Sequence, residues 1–516
     1  MEFISIFNDV LGPVMRGPSS SHTAGSYHIG RLVRSLLGED AATAAFTFDP
    51  DGSYAKTYRQ QGVDLALASG LLGWPITDRR FDRALTAAPE RGLKLRFRIA
   101  RLDKADHPNT VRMELFSKSG RRLEATAKSV GGGMIALIEL DGWPVLLDGK
   151  SHEVMVLAGA RQARPVERIL AADGQLAGRP VRSTKGGKVF LSFKRKAPLS
   201  SEALAMLGRL PNVHGIWSAP PLFYIKKGEP LFQSGAEMVE TARRKRLSLG
   251  RIALASEARL LGLSEKEVVG EVLRRYGIMR DSVRQGLAGH ELGMQLLKPS
   301  AGRIFRSEAR GILAVGGLHA RAAARALAAM HVSNSKGIVC AAPTGGSAGV
   351  LPGVMVTLVE EKRLDDERTA LALLAASAIG LIVAGRATFA AEVAGCQVEI
   401  GAAGAMGAAA VVEAAGGSAG QAADAAAISL QNTMGSVCDL VQGMCEIPCH
   451  TRNAVAASSA FVCADLILGG YVNPIPLDET VDAVYASGKM LPAELRCTAL
   501  GGLAVTPSAL ALGRKL

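Results

Sequence analysis

Three cysteines, Cys438, Cys445 and Cys449, fall within twelve residues in the run CDLVQGMCEIPCHTRNA, and a fourth, Cys396, precedes them in EVAGCQVEIGAAGAMGAAA. This crowding constrains the fold more than any other feature. Free cysteine is among the most buried residue types, and closely spaced thiolates hold soft metals or iron–sulfur clusters. Either way the stretch must be enclosed. Pro448, directly before Cys449, is expected to keep that sulfur off a regular helix. No CxxC pair is present, so the residues alone leave two readings open: small packing residues, or ligands.

Enough apolar material exists to enclose them. With 516 residues, 48% of them hydrophobic, the chain can bury large cores over two to four domains. Aromatics are only 5% against 58 glycines, a composition that suits close helix packing and tight loops. The net charge of +13 comes from scattered basic residues without an aromatic ladder, which argues against nucleic acid and favours a small anionic substrate. RRKR, Arg243 to Arg246, reads as a solvated helix face. Thr369 to Gly385 falls short of the roughly 20 apolar residues of a membrane span and is expected to be a buried core helix. Without a signal-like N-terminus or a disulfide framework, a cytoplasmic protein is expected.

Periodicity predicts an α+β multidomain chain. Residues 1–150 read as a mixed α/β domain, with helices at 27–37 and 63–72 and strands at 44–48, 93–99 and 111–116, SVGGGMIALIEL leading into another. Within it, Ser19 to Thr23 form a row of hydrogen-bonding groups on a Gly/Pro-flanked loop, able to cap the next helix or to bind a carboxylate. Residues 151–228 read as a small βαββαβ unit of ferredoxin-like order. Residues 229–516 read as mostly helical. They include a capping box at Ser264 and Glu267 opening a helix to Arg275, a helix at 321–330, and a Gly-rich loop from Gly337 to Gly353.

Several words resemble one family, the bacterial iron–sulfur L-serine dehydratases, or L-serine ammonia-lyases. Its α-region words stand here as AAPTGGSAGVLPG (Ala341 to Gly353), AEVAGCQ (Ala391 to Gln397) and CDLVQGMCEIPCHTRNA. Its β-region words stand as GPSSSHTAG (Gly17 to Gly25), DGSYAKTY (Asp51 to Tyr58), HPNT (His107 to Thr110) and SVGGG (Ser129 to Gly133). The resemblance implies β- and α-regions fused in one chain, with an ACT-like small domain between them; a homodimer is the expected assembly. It also implies a [4Fe–4S] cluster on Cys396, Cys438 and Cys449, with an open iron acting as a Lewis acid in the elimination of water from L-serine. Ser19, Ser21, Thr23, Thr344, Ser347, Arg452 and Asn453 are then candidates to hold the substrate.

The chain departs from the resembled pattern at the base. Where the family runs into GHGTD, this sequence reads QQGVD, so Gln61 takes the histidine position, and an amide cannot accept an α-proton. His22 and Lys56 are the expected stand-ins, His22 before Lys56 because a lysine must be desolvated to act as a base. Cys340 and Cys463 read as packing residues, and Cys445 and Cys497 as additions to the pattern. Some family members place a C-terminal cysteine on the open iron, whereas this sequence ends GRKL. Other readings are a cysteine-desulfidase-like lyase, a pyridoxal-phosphate lyase using Lys336 beside PTGGSAG, and a cluster-holding sensor.

Overall fold

This computed structural model describes residues 3–290 and 292–513; Arg514 to Leu516 of the GRKL ending lie outside the described residues. The first of the described residues belong to the helical half. Ile6, Phe7, Val10 and Leu11 are buried in its core. Glu257 holds them there, accepting from Ser5 Oγ at 2.6 Å and from the amides of Ile6 and Phe7 at 3.0 and 3.2 Å. The N-terminal unit, expected from residue 1, therefore begins in space after Leu11. β1 (Val14–Arg16) follows, and then a wide helical turn at Ser20–Ala24, whose cap is Ser19 Oγ accepting from the His22 amide at 3.1 Å.

The N-terminal sheet has six strands: β2 (Ala41–Phe48), β3 (Lys94–Ile99), β4 (Thr110–Ser117), β5 (Arg122–Gly131), β6 (Met134–Leu140) and β7 (Trp143–Leu147). Their order is β3-β2-β4-β5-β6-β7, with β2 and β3 parallel and the rest antiparallel. Helices Gly25–Leu37 and Val63–Leu71 contribute Ile29, Leu32, Val33, Leu36 and Leu67 to one core with Phe46, Phe48, Val111 and Met113. Two strands are not evident from alternation. β5 is interrupted by register shifts against β6, and β7 carries Pro144 at the sheet edge, where a missing donor is tolerated.

The small unit forms the βαββαβ order: β8 (His152–Gly159), helix Ala163–Ala172, β9 (Val181–Lys185), β10 (Lys188–Arg195), helix Ser201–Arg209 and β11 (Val213–Ala219). The sheet order β11-β8-β10-β9, antiparallel throughout, is the split βαβ arrangement. The last strand stops at Ala219, because Pro220 and Pro221 cannot donate to a ladder. Met155, Phe190 and Trp217 join the core of the six-stranded sheet, with Phe190 stacked on Trp143 at 5.7 Å between centroids. On the other face Val154, Val156 and Leu191 pack with Val166, Leu170 and Leu207 of the two helices.

From Gly235 the fold is helical. RRKR closes helix Gly235–Lys245 as an exposed run. The capping box forms as expected, but its helix continues to Ala288. Helix Leu318–Asn334 leads into β12 (Ile338–Cys340), which pairs antiparallel with β1 through Val14–Cys340, Met15–Val339 and Arg16–Ile338. This ribbon sets the GPSSSHTAG loop beside the PTGGSAG loop. The expected loop to Gly353 ends early, because Val350–Lys362 is a helix with Pro352 in its first turn, where no amide donor is needed. A Cβ at Gly353 would stand 2.7 Å from the Ala322 carbonyl, so this helix crosses Leu318–Asn334 at backbone contact. Asp366–Arg386 is a core helix started by Asp365, whose side chain accepts from the Arg368 amide. It packs on the Ala/Gly helix Ile400–Ala414, which also meets Ala419–Thr433 and Cys449–Leu468.

Candidate active site

The cysteine words converge where the two halves of the chain meet. Cys396 lies on a single helical turn before Ile400–Ala414, Cys438 on the loop after Ala419–Thr433, and Cys449 opens helix Cys449–Leu468 with Pro448 as its cap. The expectation that Pro448 keeps Cys449 off a helix is thus corrected: it starts one, since proline is compatible with a helix N-terminus. All three thiols are buried. The Cys438 thiol has those of Cys396 and Cys497 as neighbours, and Cys445 has that of Cys449. These contacts and burial hold Cys438 well above the ordinary thiol range. Arg452 lies over the group, Nη1 at 3.7 Å from Cys396 Sγ and 2.7 Å from the Val437 carbonyl, with Nη2 3.0 Å from Asp439.

Among the described residues no three His, Cys, Asp or Glu side chains are placed to share a single metal ion. A multi-iron cluster makes a different demand, because each thiolate binds its own iron. Buried thiols that surround a site, unfavourable as anions beside one another yet flanked by Arg452, fit that demand. The donor set therefore suits a cationic iron–sulfur core.

The β-region words form the opposing wall. His22 is fully buried, with Nδ1 3.0 and 3.3 Å from the Ser21 and Ser19 hydroxyls and Nε2 3.1 Å from Ser53 Oγ. Ser53 donates its own proton to the Cys497 carbonyl at 2.8 Å. His22 therefore donates through Nε2, and its remaining lone pair faces hydroxyls. Burial pushes it down to about 3. Thr23 Oγ1 donates to the Gln61 carbonyl at 2.7 Å, so it holds backbone. Gln61 is buried against two sulfurs, its Nε2 3.6 Å from Cys497 Sγ and its Oε1 3.9 Å from Cys445 Sγ. Lys56 is exposed on helix Ser53–Thr57. The neighbouring Ser53, Tyr54 and Thr57 of that helix are buried.

Two carboxyl groups that the sequence reading passed over complete the site. Glu392 accepts from Asn109 Nδ2 at 2.5 Å and from Ser21 Oγ at 3.4 Å, joining HPNT and GPSSSHTAG to AEVAGCQ. Burial, with Glu399 nearby, pushes it up to about 7. Glu399 accepts from Thr344 Oγ1 at 2.6 Å, and burial raises it to about 7 as well. A Cβ at Gly346 would lie 2.7 Å from Glu399 Oε1, so the PTGGSAG loop wraps this carboxylate closely. Thr344 and Ser347 also bond each other at 2.9 Å. Asn453 spends its amide on structure, accepting from the Gly349 amide and donating to the Gly346 and Cys449 carbonyls. Glu392 stands four residues before Cys396 and Glu399 three after it; acids flanking a candidate ligand were the available signal. A cavity of about 580 Å³ reaches Cys396 and Arg452 from the outer side of helix Cys449–Leu468.

The family described as serine dehydratase alpha chain matches residues 236–504. The probable L-serine dehydratase alpha chain of Bacillus subtilis is 36% identical over 286 residues, 55% of this chain and 95% of that relative. The corresponding alpha chain of Latilactobacillus sakei is 46% identical over 187 residues, 36% of this chain and 90% of that one. The probable L-serine dehydratase beta chain of Bacillus subtilis is 34% identical over 217 residues, 41% of this chain and 96% of the relative. Separate α and β relatives thus each match a large part of one polypeptide. The chain belongs to the L-serine dehydratase family, with a β-like N-terminal region and an α-chain region in a single chain.

Proposed function

We propose that the protein is an L-serine ammonia-lyase, converting L-serine to pyruvate and ammonia. The carrying observation is the meeting of Cys396, Cys438 and Cys449 from two separate words against a wall of β-region hydroxyls. These thiols would hold a [4Fe–4S] cluster, which when bound supplies a Lewis acid for departure of the β-hydroxyl. Glu399 is the residue to take the α-proton. A carboxyl raised to about 7 is matched to proton transfer near neutrality, and Thr344 orients it. His22 then serves as a positioning residue for Ser19, Ser21 and Ser53 in place of the base role expected of it. Arg452 supplies positive charge beside the thiols and would attract the substrate carboxylate. Loss of the α-proton and of hydroxide leaves aminoacrylate, whose imine hydrolyses to pyruvate and ammonia.

The unpaired state of all seven cysteines supports action in the reducing cytoplasm. The ACT-like unit is read as an assembly element, since both faces of its sheet are engaged. Anaerobically prepared protein assayed for 2-oxo acid across β-hydroxy and β-thiol amino acids tests the reading. L-Serine should be turned over fastest. A preference for L-cysteine would transfer the assignment to a desulfidase-like lyase, and activity that requires pyridoxal phosphate would end it.

A further inference from the structure

A cavity of about 350 Å³ lies where the segment before β1, helix Gly25–Leu37, helix Glu265–Ala288 and the chain leaving the small unit come together, and it shares no residue with the site described above. Its walls are fixed. Asn8 clasps the Tyr224 backbone, Oδ1 accepting from the amide and Nδ2 donating to the carbonyl, each at 2.9 Å. The amides of Leu222 and Phe223 donate to the Gly149 carbonyl at 2.8 and 3.2 Å. Phe7 meets Tyr224 with ring centroids 5.7 Å apart, and Phe223 meets His28 edge to face at 4.9 Å. Such a volume stands at the small end of the roughly 300–1,000 Å³ of small-molecule sites, and walls already ordered cost little to bind against.

The polar groups of this cavity are few. Arg275 is buried and packed over the Phe7 ring at 4.7 Å, with Nε 2.8 Å from Glu271 and Nη1 donating to the Phe7 carbonyl at 3.0 Å. Its Nη2 has no partner among the described residues. Arg274 spends Nε and Nη2 on the same Glu271. Two guanidiniums thus share one carboxylate, and no acid is among the described residues that line the cavity. His28 gives its Nδ1 proton to the Gly133 carbonyl at 2.8 Å, which leaves Nε2 as the ring's remaining acceptor. Burial holds that imidazole down to about 4, so it is neutral at neutral pH.

We propose that this cavity binds an aromatic α-hydroxy or α-amino acid, its carboxylate on Arg275, its α-substituent donating to His28, and its ring among Phe7, Phe223 and Tyr224. A cation, an acceptor and an apolar wall are what such a molecule needs, whereas a plain inorganic anion would leave the three rings unused. The cavity also joins the two regions of the chain. Pro13 lies directly before β1, His28 stands on the helix that follows GPSSSHTAG, and the Gly133 carbonyl belongs to the SVGGG turn, while Arg275 belongs to the helical half. A ligand held by all of them binds only while they are together, so its binding favours the docked arrangement that assembles the active site. The inference does not depend on the cluster reading.

The test is calorimetric titration of the anaerobically purified full chain with L-phenylalanine and L-3-phenyllactate, with 3-phenylpropionate and phenethylamine as controls. Both acids should bind at a single site per chain and raise the melting temperature. 3-Phenylpropionate, which lacks the α-donor, should bind about tenfold more weakly, and phenethylamine, which lacks the carboxylate, should not bind. Neither acid should compete with L-serine. Tyr224→Ala, at a ring 40% exposed, should keep a cooperative melt and bind the acids about tenfold more weakly. Arg275→Gln should abolish binding. No saturable binding of either acid up to about 10 mM, equal binding of phenethylamine, or binding that competes with L-serine and is indifferent to Tyr224→Ala overturns the proposal.

Discussion

In the proposed mechanism, Glu399 is the residue on which proton transfer turns. A carboxyl accepts the α-proton only when ionised, and burial places its ionisation near 7. Activity should therefore be low in acid and rise through pH about 7. Glu399→Gln, which retains the size but not the basicity, should lower kcat by about 10²–10⁴-fold and remove that limb of the kcat/KM profile. A Glu399→Gln enzyme with an unchanged pH profile would return the role to Glu392 or His22. His22→Ala, by contrast, should loosen the hydroxyl network and raise KM, while the pH limb stays in place.

The cysteine words were legible because cysteine spacing and the surrounding residues are local. Glu392 and Glu399 were not, because a carboxylate reveals a function only through what encloses it, here Asn109, Thr344 and the glycines of the PTGGSAG loop. Lys56 sits apart from the rest of its word. Its word belongs to the site through Ser53, Tyr54 and Thr57, which are buried, while the lysine lies on the outer side of the same short helix. Cys497 was visible as an addition, but its approach to Cys438 depends on contacts between segments distant in sequence.

At the scale of elements, the site depends on two joins between the β-like and α-like regions. One is the β1–β12 ribbon; the other is the SVGGG turn after β5. Gly131 has φ +104°, and a Cβ there would stand 2.9 Å from the Ala390 amide nitrogen, directly before AEVAGCQ. Gly131→Ala should therefore lower stability by about 1–3 kcal/mol from the backbone conformation, with further loss from the clash, and should reduce iron retention by displacing the Cys396 segment. Unaltered melting and iron content would show that this join does not position the ligand. The helix and strand periods gave most of these elements, including the core helix Asp366–Arg386 and the order of the small unit. They failed at β5 and β7, where bulges and an edge proline break the alternation, and at Val350–Lys362, where Pro352 and Gly353 read as loop residues.

Across the whole molecule, the fused regions make one enclosed site from words hundreds of residues apart. The outer side of helix Cys449–Leu468 leaves Val455, Val462 and Leu466 exposed, with Tyr471 and Val472 just beyond. A homodimer that covers this apolar face is the expected assembly. Light scattering should give twice the 53.9 kDa chain mass, and Val462→Glu should reduce it to the monomer; a monomeric wild type would contradict the expectation.

The central claim, that Cys396, Cys438 and Cys449 hold a cluster on which serine elimination depends, is tested most directly by iron and sulfide analysis of anaerobically reconstituted protein. Wild type should carry about four irons and four sulfides per chain. Cys396→Ser, Cys438→Ser and Cys449→Ser should each lose them together with pyruvate formation, because a hydroxyl is a poor substitute for thiolate. Cys340→Ser and Cys463→Ser should keep both at a packing cost of about 1 kcal/mol. Full iron in any of the first three variants, or serine turnover by iron-free wild type, would contradict the account.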